Sequence, residues 1–251
     1  MPRRLLYLVL PALLFALWEG ASHSGRIPAI LLPTPESVFA AFCALASDGT
    51  LAAHIASSAR RAFTGFALSA LLGVGLGVFL AGHENARRAG SLLLEALRVT
   101  PPLSLVPLLI LWLGIDEAPK VAIVFLASFF PVYMNALSAV RSADPGLKEV
   151  ALLLRFSPFE RFRCLTLPAS LPGILTGLRL AFGYSWRALV GAELIASSSG
   201  LGFLISESAE LSKTDAVFAG IITIAVLGVA ADAALQALLR LASARIRSGG
   251  R

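Results

Sequence analysis

The chain has 251 residues, of which 57% are hydrophobic and 14% charged, with a formal net charge of +6 and a mean hydropathy of +0.81. A soluble domain carries roughly a quarter charged residues, so this composition excludes a water-soluble globular fold. The basic balance does not indicate nucleic acid: the arginines flank apolar runs, where orientation signals and lipid headgroups account for them.

Long apolar runs rich in Leu, Ala, Gly and Val predict an all-α, polytopic membrane protein with six transmembrane helices, since about 20 apolar residues cross the hydrocarbon layer. The first span covers roughly residues 5–20, after Arg3 and Arg4. It resembles a signal peptide, but Glu19 and "EGASHSG" make a poor cleavage site, so we read a retained helix. Pro28, Pro33 and Pro35 then break the chain. Thr34 before Pro35 and Glu36 predicts a capped helix with Pro at its first position, amphipathic and interfacial.

Span two covers about residues 62–81. Gly73, Gly77 and Ala81 recur every four residues on one face, which predicts close helix packing rather than a nucleotide loop. Span three, about 92–113, contains Pro101, Pro102 and Pro107 and must kink. Such a break survives at membrane depth only inside protein or along a cavity. Spans four to six lie near 118–140, which contains Pro131, 172–195 and 217–239.

With the N-terminus inside, Arg87, Arg88, Arg141, Lys148, Arg155, Arg161, Arg163, Arg245, Arg247 and Arg251 all fall in inner segments. Arg60 and Arg61 go against this and are assigned to headgroup level. The domain plan is therefore residues 1–25 as the first helix, 26–61 as an extracytoplasmic amphipathic segment, 62–240 as a core of five spans, and 241–251 as a basic cytoplasmic tail. Both termini are cytoplasmic, Cys43 and Cys164 fall on opposite sides, and residues 141–170 form the largest cytoplasmic loop.

That loop holds "EVALLLRFSPFERFRCLTLPASLPG". Leu152, Leu153, Leu154, Phe156, Phe159 and Phe162 supply more apolar surface than a solvated connector needs. Ser157-Pro158, with Glu160 in the first turn, predicts a helix start. The loop thus reads as helix, turn and short helix, an apolar ridge with a charged rim, as at protein contacts.

Here the chain resembles the permease subunits of bacterial ABC importers. Glu149-Val150-Ala151, Leu165 and Leu167-Pro168 follow the family pattern, with Arg155 where the family has glycine. "PPLSLVPLLILWLGI", "FFPVYMNALSAVRSADPGLKEVA", "LPASLPGILTGLRLAFGYSWRALVGAEL" and "SSSGLGFLI" resemble its nitrate/sulfonate/taurine branch, over about residues 30–240. The resemblance implies a type I importer fold in the bacterial inner membrane. It implies a homodimer of this chain, two copies of an ABC ATPase, an extracytoplasmic solute-binding protein and surrounding membrane lipid as partners. It assigns ATPase coupling to Glu149, Ala151, Arg155, Phe156, Ser157, Pro158, Phe159, Leu167 and Pro168. The solute it implies is small and anionic, such as nitrate, a sulfonate, taurine or bicarbonate, with uncharged pyrimidine-like compounds left open.

The chain is expected to bind no cofactor. Only three lysines are present, and Lys213-Thr214 follows Ser212 and Glu207 where a phosphate loop needs glycines, so ATP is used by the partner subunit. His23, His54 and His83 have no ligand spacing, and no catalytic or metal residues are assigned. In the membrane, Trp186, Arg187 and Glu193 are candidate pathway residues, with an internal ion pair as the alternative. Arg179 is expected to snorkel and Asp232 to pair with an arginine of a neighbouring helix. The competing functional readings are an ATPase-independent secondary transporter and a membrane-embedded enzyme. Neither the internal repeat of the first nor the polar catalytic cluster of the second is apparent.

Overall fold

In a computed structural model, residues 3–142, 146, 149, 151 and 153–248 are described; nothing is said of the side chains of residues 1–8, 242 and 244–251. Lys148, Val150 and Leu152, all named above, lie outside the described residues. The helices are α1 (Arg3–His23), α2 (Pro35–Ser47), α3 (Thr50–Gly82), α4 (Glu84–Val99), α5 (Val106–Leu113), α6 (Glu117–Arg141), α7 (Pro158–Arg161), α8 (Leu167–Ala196), α9 (Leu201–Glu210) and α10 (Thr214–Ser248).

Helices stand at all six places where apolar runs predict spans. Four of these, within Thr50–Gly82, Glu117–Arg141, Pro158–Ala196 and Thr214–Leu241, are each long and apolar enough to cross a membrane. A fifth is the pair Glu84–Val99 and Pro102–Leu113, bent by 90°. The sixth is α1, on which Val9, Leu10, Leu13 and Leu14 are exposed; it is not among the helices long and apolar enough to cross a membrane. The bend falls at the predicted prolines: Pro101 and Pro102 open a 3₁₀ turn, and Pro107 starts the next helix. The helix before the bend starts at Glu84, eight residues earlier than the apolar run suggests.

The chain forms two compact units. One comprises Met1–Ser58 and Ser197–Val226. Within it, Trp18 donates to the Pro33 carbonyl at 2.9 Å and stacks on Phe218. Thr34 caps α2 as its sequence predicts, accepting from the Ser37 N–H. The orphan amides at the start of α9 are satisfied by α3: Gly200 donates to His54 Nδ1 at 3.0 Å and Leu201 to Ser58 Oγ at 2.8 Å.

The other unit comprises Ala59–Ala196 and Leu227–Arg251, and α6 is its centre. Glycines let α3 and α8 approach α6. A Cβ on Gly73 would lie 3.0 Å from Val132, and one on Gly77 would lie 2.7 Å from the Tyr133 carbonyl oxygen. A Cβ on Gly177 would meet Asn135 at 2.5 Å. Lipid supplies no hydrophobic drive between helices, so close backbone approach carries the association. The shared face read from Gly73 and Gly77 is therefore the α3–α6 seam. Ser69 and Ser128 hydrogen-bond across it at 2.7 Å, both buried.

Gly75, with nothing near its Cβ position, gives an internal control. Gly77→Ala is expected to be less stable than Gly75→Ala by about 1–3 kcal/mol, the usual cost of overpacking. Thermal unfolding of both variants in detergent checks this.

Candidate functional site

Three features of the second unit carry chemistry: the charged stretch after α6, a buried ion cluster, and two cavities along α6. In the first, Glu149, Ala151 and Leu153 are helical, Glu149 is exposed and Ala151 is buried. This helix ends at Arg155, whose φ is +51°. The Phe156 N–H donates to the Ala151 carbonyl at 3.0 Å, the six-to-one bond of a Schellman turn with Arg155 in the left-handed position. The turn that glycine serves in the family pattern is thus kept, and Arg155 bears the backbone strain. Ser157 follows as the predicted cap. Its hydroxyl accepts from the Glu160 N–H, and the Glu160 carboxylate accepts from the Ser157 N–H at 2.8 Å, a reciprocal capping box with Pro158 at the first helical position.

On these two fixed elements the apolar ridge faces outward. Leu153 and Leu154 are exposed and Phe159 is 69% exposed, while Phe156 and Phe162 are half-buried. Phe162–Thr166 then forms a π-helical turn leading to half-buried Leu167 and exposed Pro168. The widened turn has a local cause. Pro168 has no N–H for the Cys164 carbonyl, and its ring clashes with that carbonyl in a regular helix. Cys43 and Cys164 are both free and exposed.

The ion cluster joins α3, α6 and α8. Arg61, 1% exposed, donates to Glu117 through Nε at 2.8 Å and Nη2 at 2.6 Å, and to Glu193 through Nη1 at 2.7 Å. Glu193 is also 1% exposed. Arg60 reaches Glu117 at 3.0 Å and Lys120 lies 3.9 Å from it. Arg61, assigned above to headgroup level, thus turns its side chain inward to two carboxylates. Its planar fork gives Glu117 two hydrogen bonds and Glu193 a third, a geometry that the point charge of a lysine does not match.

Trp186, Arg187 and Glu193, the candidate pathway residues, have different surroundings. Glu193 belongs to the ion cluster. Trp186 packs against Gly228 and the cluster of Ala62, Val124 and Leu189. Arg187 is exposed and lies over the Tyr184 ring at 5.6 Å. Asp232 pairs with Arg179 at 3.9 Å and accepts from Gln236.

The bend between α4 and α5 lies along a cavity, as its prolines require. About 490 Å³ is lined by Thr100, Pro102 and Leu105 of the break, Pro131 and Asn135 of α6, and Tyr184 of α8. A second cavity of about 570 Å³ lies between α4 and α6, lined by Arg87, Arg98 and Arg141 among others.

Residues 73–243 match the family described as "binding-protein-dependent transport system inner membrane component". The chain belongs to this family of ABC-importer permeases. It is 40% identical to the putative aliphatic sulfonates transport permease protein SsuC of Bacillus subtilis (strain 168), over 93% of this chain and 84% of that protein. It is 35% identical to the taurine transport system permease protein TauC of Escherichia coli (strain K12), over 91% of this chain and 85% of that one. Among solved structures, an inward-facing MetNI methionine ABC transporter superposes with a TM-score of 0.67 at 14% identity, covering 76% of this chain and 95% of that one. The protein is thus a transport subunit of the inner membrane, acting with an ATPase and a binding protein, and not an enzyme. This sets aside the secondary-transporter and membrane-enzyme readings.

The left-handed Arg155 offers a direct check on the permease's Schellman turn. An L-residue loses roughly 1–2 kcal/mol there, partly offset in glycine by unfolded-chain entropy. Arg155→Gly is expected to raise stability by about 0.5–1 kcal/mol, and Arg155→Val to lower it, as read by thermal unfolding.

Proposed function

We propose that this permease carries a small organic sulfonate or a similarly small oxyanion inward and receives the ATPase stroke through residues 149–168. It works as a homodimer with two ATPase subunits and one extracytoplasmic binding protein. Both termini face the cytoplasm, residues 26–61 face outward, and ATP is bound only by the partner.

The observation that carries the coupling role is the outward ridge of Leu153 and Leu154, carried on the Schellman turn, and Phe159, carried within the capping box. A rigid exposed apolar element with a charged rim fits a groove on a soluble partner. Glu149, Ala151, Arg155, Phe156, Ser157, Pro158, Leu167 and Pro168 have distinct parts in it. Glu149 offers charge, Ala151, Arg155 and Phe156 build the turn, Ser157 and Pro158 form the cap, and Leu167-Pro168 lead the force into α8. A force entering α8 reaches α6, against which α8 packs through Gly173 and Gly177.

The sulfonate reading is supported by the names of the relatives, which describe sulfonate and taurine permeases. A more distant relative, 28% identical over 187 residues, is the nitrate import permease protein NrtB of Leptolyngbya laminosa. All three substrate groups carry oxyanion or sulfonate chemistry. Arg187, exposed above the cavity-lining Tyr184, is a candidate contact for the anion. Trp186 and Glu193 serve that pathway indirectly, by packing and pairing.

Glu149→Lys and Phe159→Ala test the coupling role. Glu149 is exposed, so its reversal should change fold stability by no more than about 0.5 kcal/mol. Losing one partner of a desolvated charge pair costs about 2–5 kcal/mol of binding, or roughly 30-fold to several thousand-fold in ATPase affinity. Both variants are expected to lose ATPase in pull-down and to lose sulfonate uptake in proteoliposomes. Wild-type binding and uptake in both would reduce the stretch to a connector.

A further inference from the structure

Helix α4 is amphipathic in the sense opposite to that of a water-facing helix, with its polar face on a cavity and its apolar face exposed. Arg87, Ser91, Glu95 and Arg98 follow one another at spacings of four, four and three, so they share a face. That face lines the 570 Å³ cavity against α6, where Ser138 and Arg141 complete the polar lining. The other side of α4 carries Leu92 and Leu93, which are 83% and 65% exposed. Ionisable residues in a membrane segment face a water-filled cavity or a protein partner, because hydrocarbon does not solvate them.

The charge of this lining is positive. Arg87 pairs with Glu84 at 2.6 Å, and Glu84 also receives Arg88 at 2.8 Å. Arg98 pairs with Glu95. Helix α4 therefore carries three arginines against two glutamates, and no carboxylate pairs with Arg141 among the described residues. Arg98, Phe130 and Met134 line this cavity and the 490 Å³ cavity at the bend. The two are thus adjoining compartments with a guanidinium at their junction.

We propose that these compartments form a continuous anion path along α6, with Arg98 as the residue that selects for negative charge and Arg141 and Arg87 drawing the anion towards the end of α6. The inference deepens the oxyanion reading above and rests on it for the identity of the cargo. Arg98 holds its charge beside Glu95, which keeps the site from trapping an anion: attraction is enough to admit it and weak enough to release it.

The test reads the field in the cavity without needing the cargo. Met134→Cys is placed in a Cys43→Ser, Cys164→Ser background. The rates of modification by 2-sulfonatoethyl methanethiosulfonate and by its trimethylammonium counterpart are compared, each normalised to a free small thiol. A guanidinium lining the same two cavities as Met134 should favour the sulfonate reagent over the cationic one by about tenfold. Arg98→Gln is expected to abolish that preference, and Arg98→Lys to restore it. Equal rates, a preference for the cationic reagent, or no reaction with either would overturn the anion path, as would a preference unchanged by Arg98→Gln. Uptake of ethanesulfonate and nitrate by wild-type transporter is measured in parallel. A wild type that imports neither while the labelling preference holds refutes the cargo reading and leaves the path standing. Import of ethanesulfonate by Arg98→Gln at the wild-type rate does the reverse.

Discussion

The guanidinium of Arg61 sets a condition that the rest of the membrane core must meet. A buried charge is tolerable only when its donors are used, and Arg61 spends three of its N–H groups on Glu117 and Glu193. Those carboxylates come from the first residue of α6 and from near the end of α8. Three helix segments are therefore held at one level before any apolar packing is considered. The glycine seams then act along the lengths of the same helices, Gly73 and Gly77 on one side of α6 and Gly173 and Gly177 on the other. Ionic fastening fixes register at one end, and close backbone approach maintains contact from there.

This arrangement suits a subunit that must transmit force. Helix α8 begins at the stretch proposed to meet the ATPase and ends at the Arg61 cluster, packing on α6 in between. Displacement at Leu167 therefore acts against a helix fastened at its far end, and the flexible element is elsewhere. The bend between α4 and α5 lacks a regular helix ladder, and α4 has no buried residue. A displacement of α4 against α6 would change the width of the cavities between them without breaking the ion cluster, which has no member on α4.

Local features were the most legible in the sequence. The Thr34 and Ser157 caps, the bend at Pro101 and Pro102, and the small-residue face of α3 each follow from a few neighbouring residues, because each is decided within one or two turns of chain. Arg155 was legible as a question, and its φ of +51° answers it in favour of the strained turn. The partners of Arg61 were not legible: Glu193 is 132 positions away, and nothing local distinguishes a paired arginine from one at the headgroups. An internal ion pair at Glu193 was open from the sequence, but its partner could not be named. The inward polar face of α4 was visible in its spacing, but the apolar run from Leu92 drew the start of the span past it. The π turn at Phe162–Thr166 follows from Pro168 only once the helix is known to run continuously through it.

The cluster at Arg61 is tested most directly by thermal unfolding of detergent-solubilised Arg61→Met, Glu193→Leu and the double variant. Arg61→Met alone leaves the Glu193 carboxylate buried without its guanidinium and is expected to cost about 3–5 kcal/mol, whereas removing both charges together is often close to neutral. The double variant is therefore expected to be more stable than Arg61→Met alone. Losses that simply add in the double variant would show that Arg61 and Glu193 act independently, and would contradict the cluster as the fastening of the three helices.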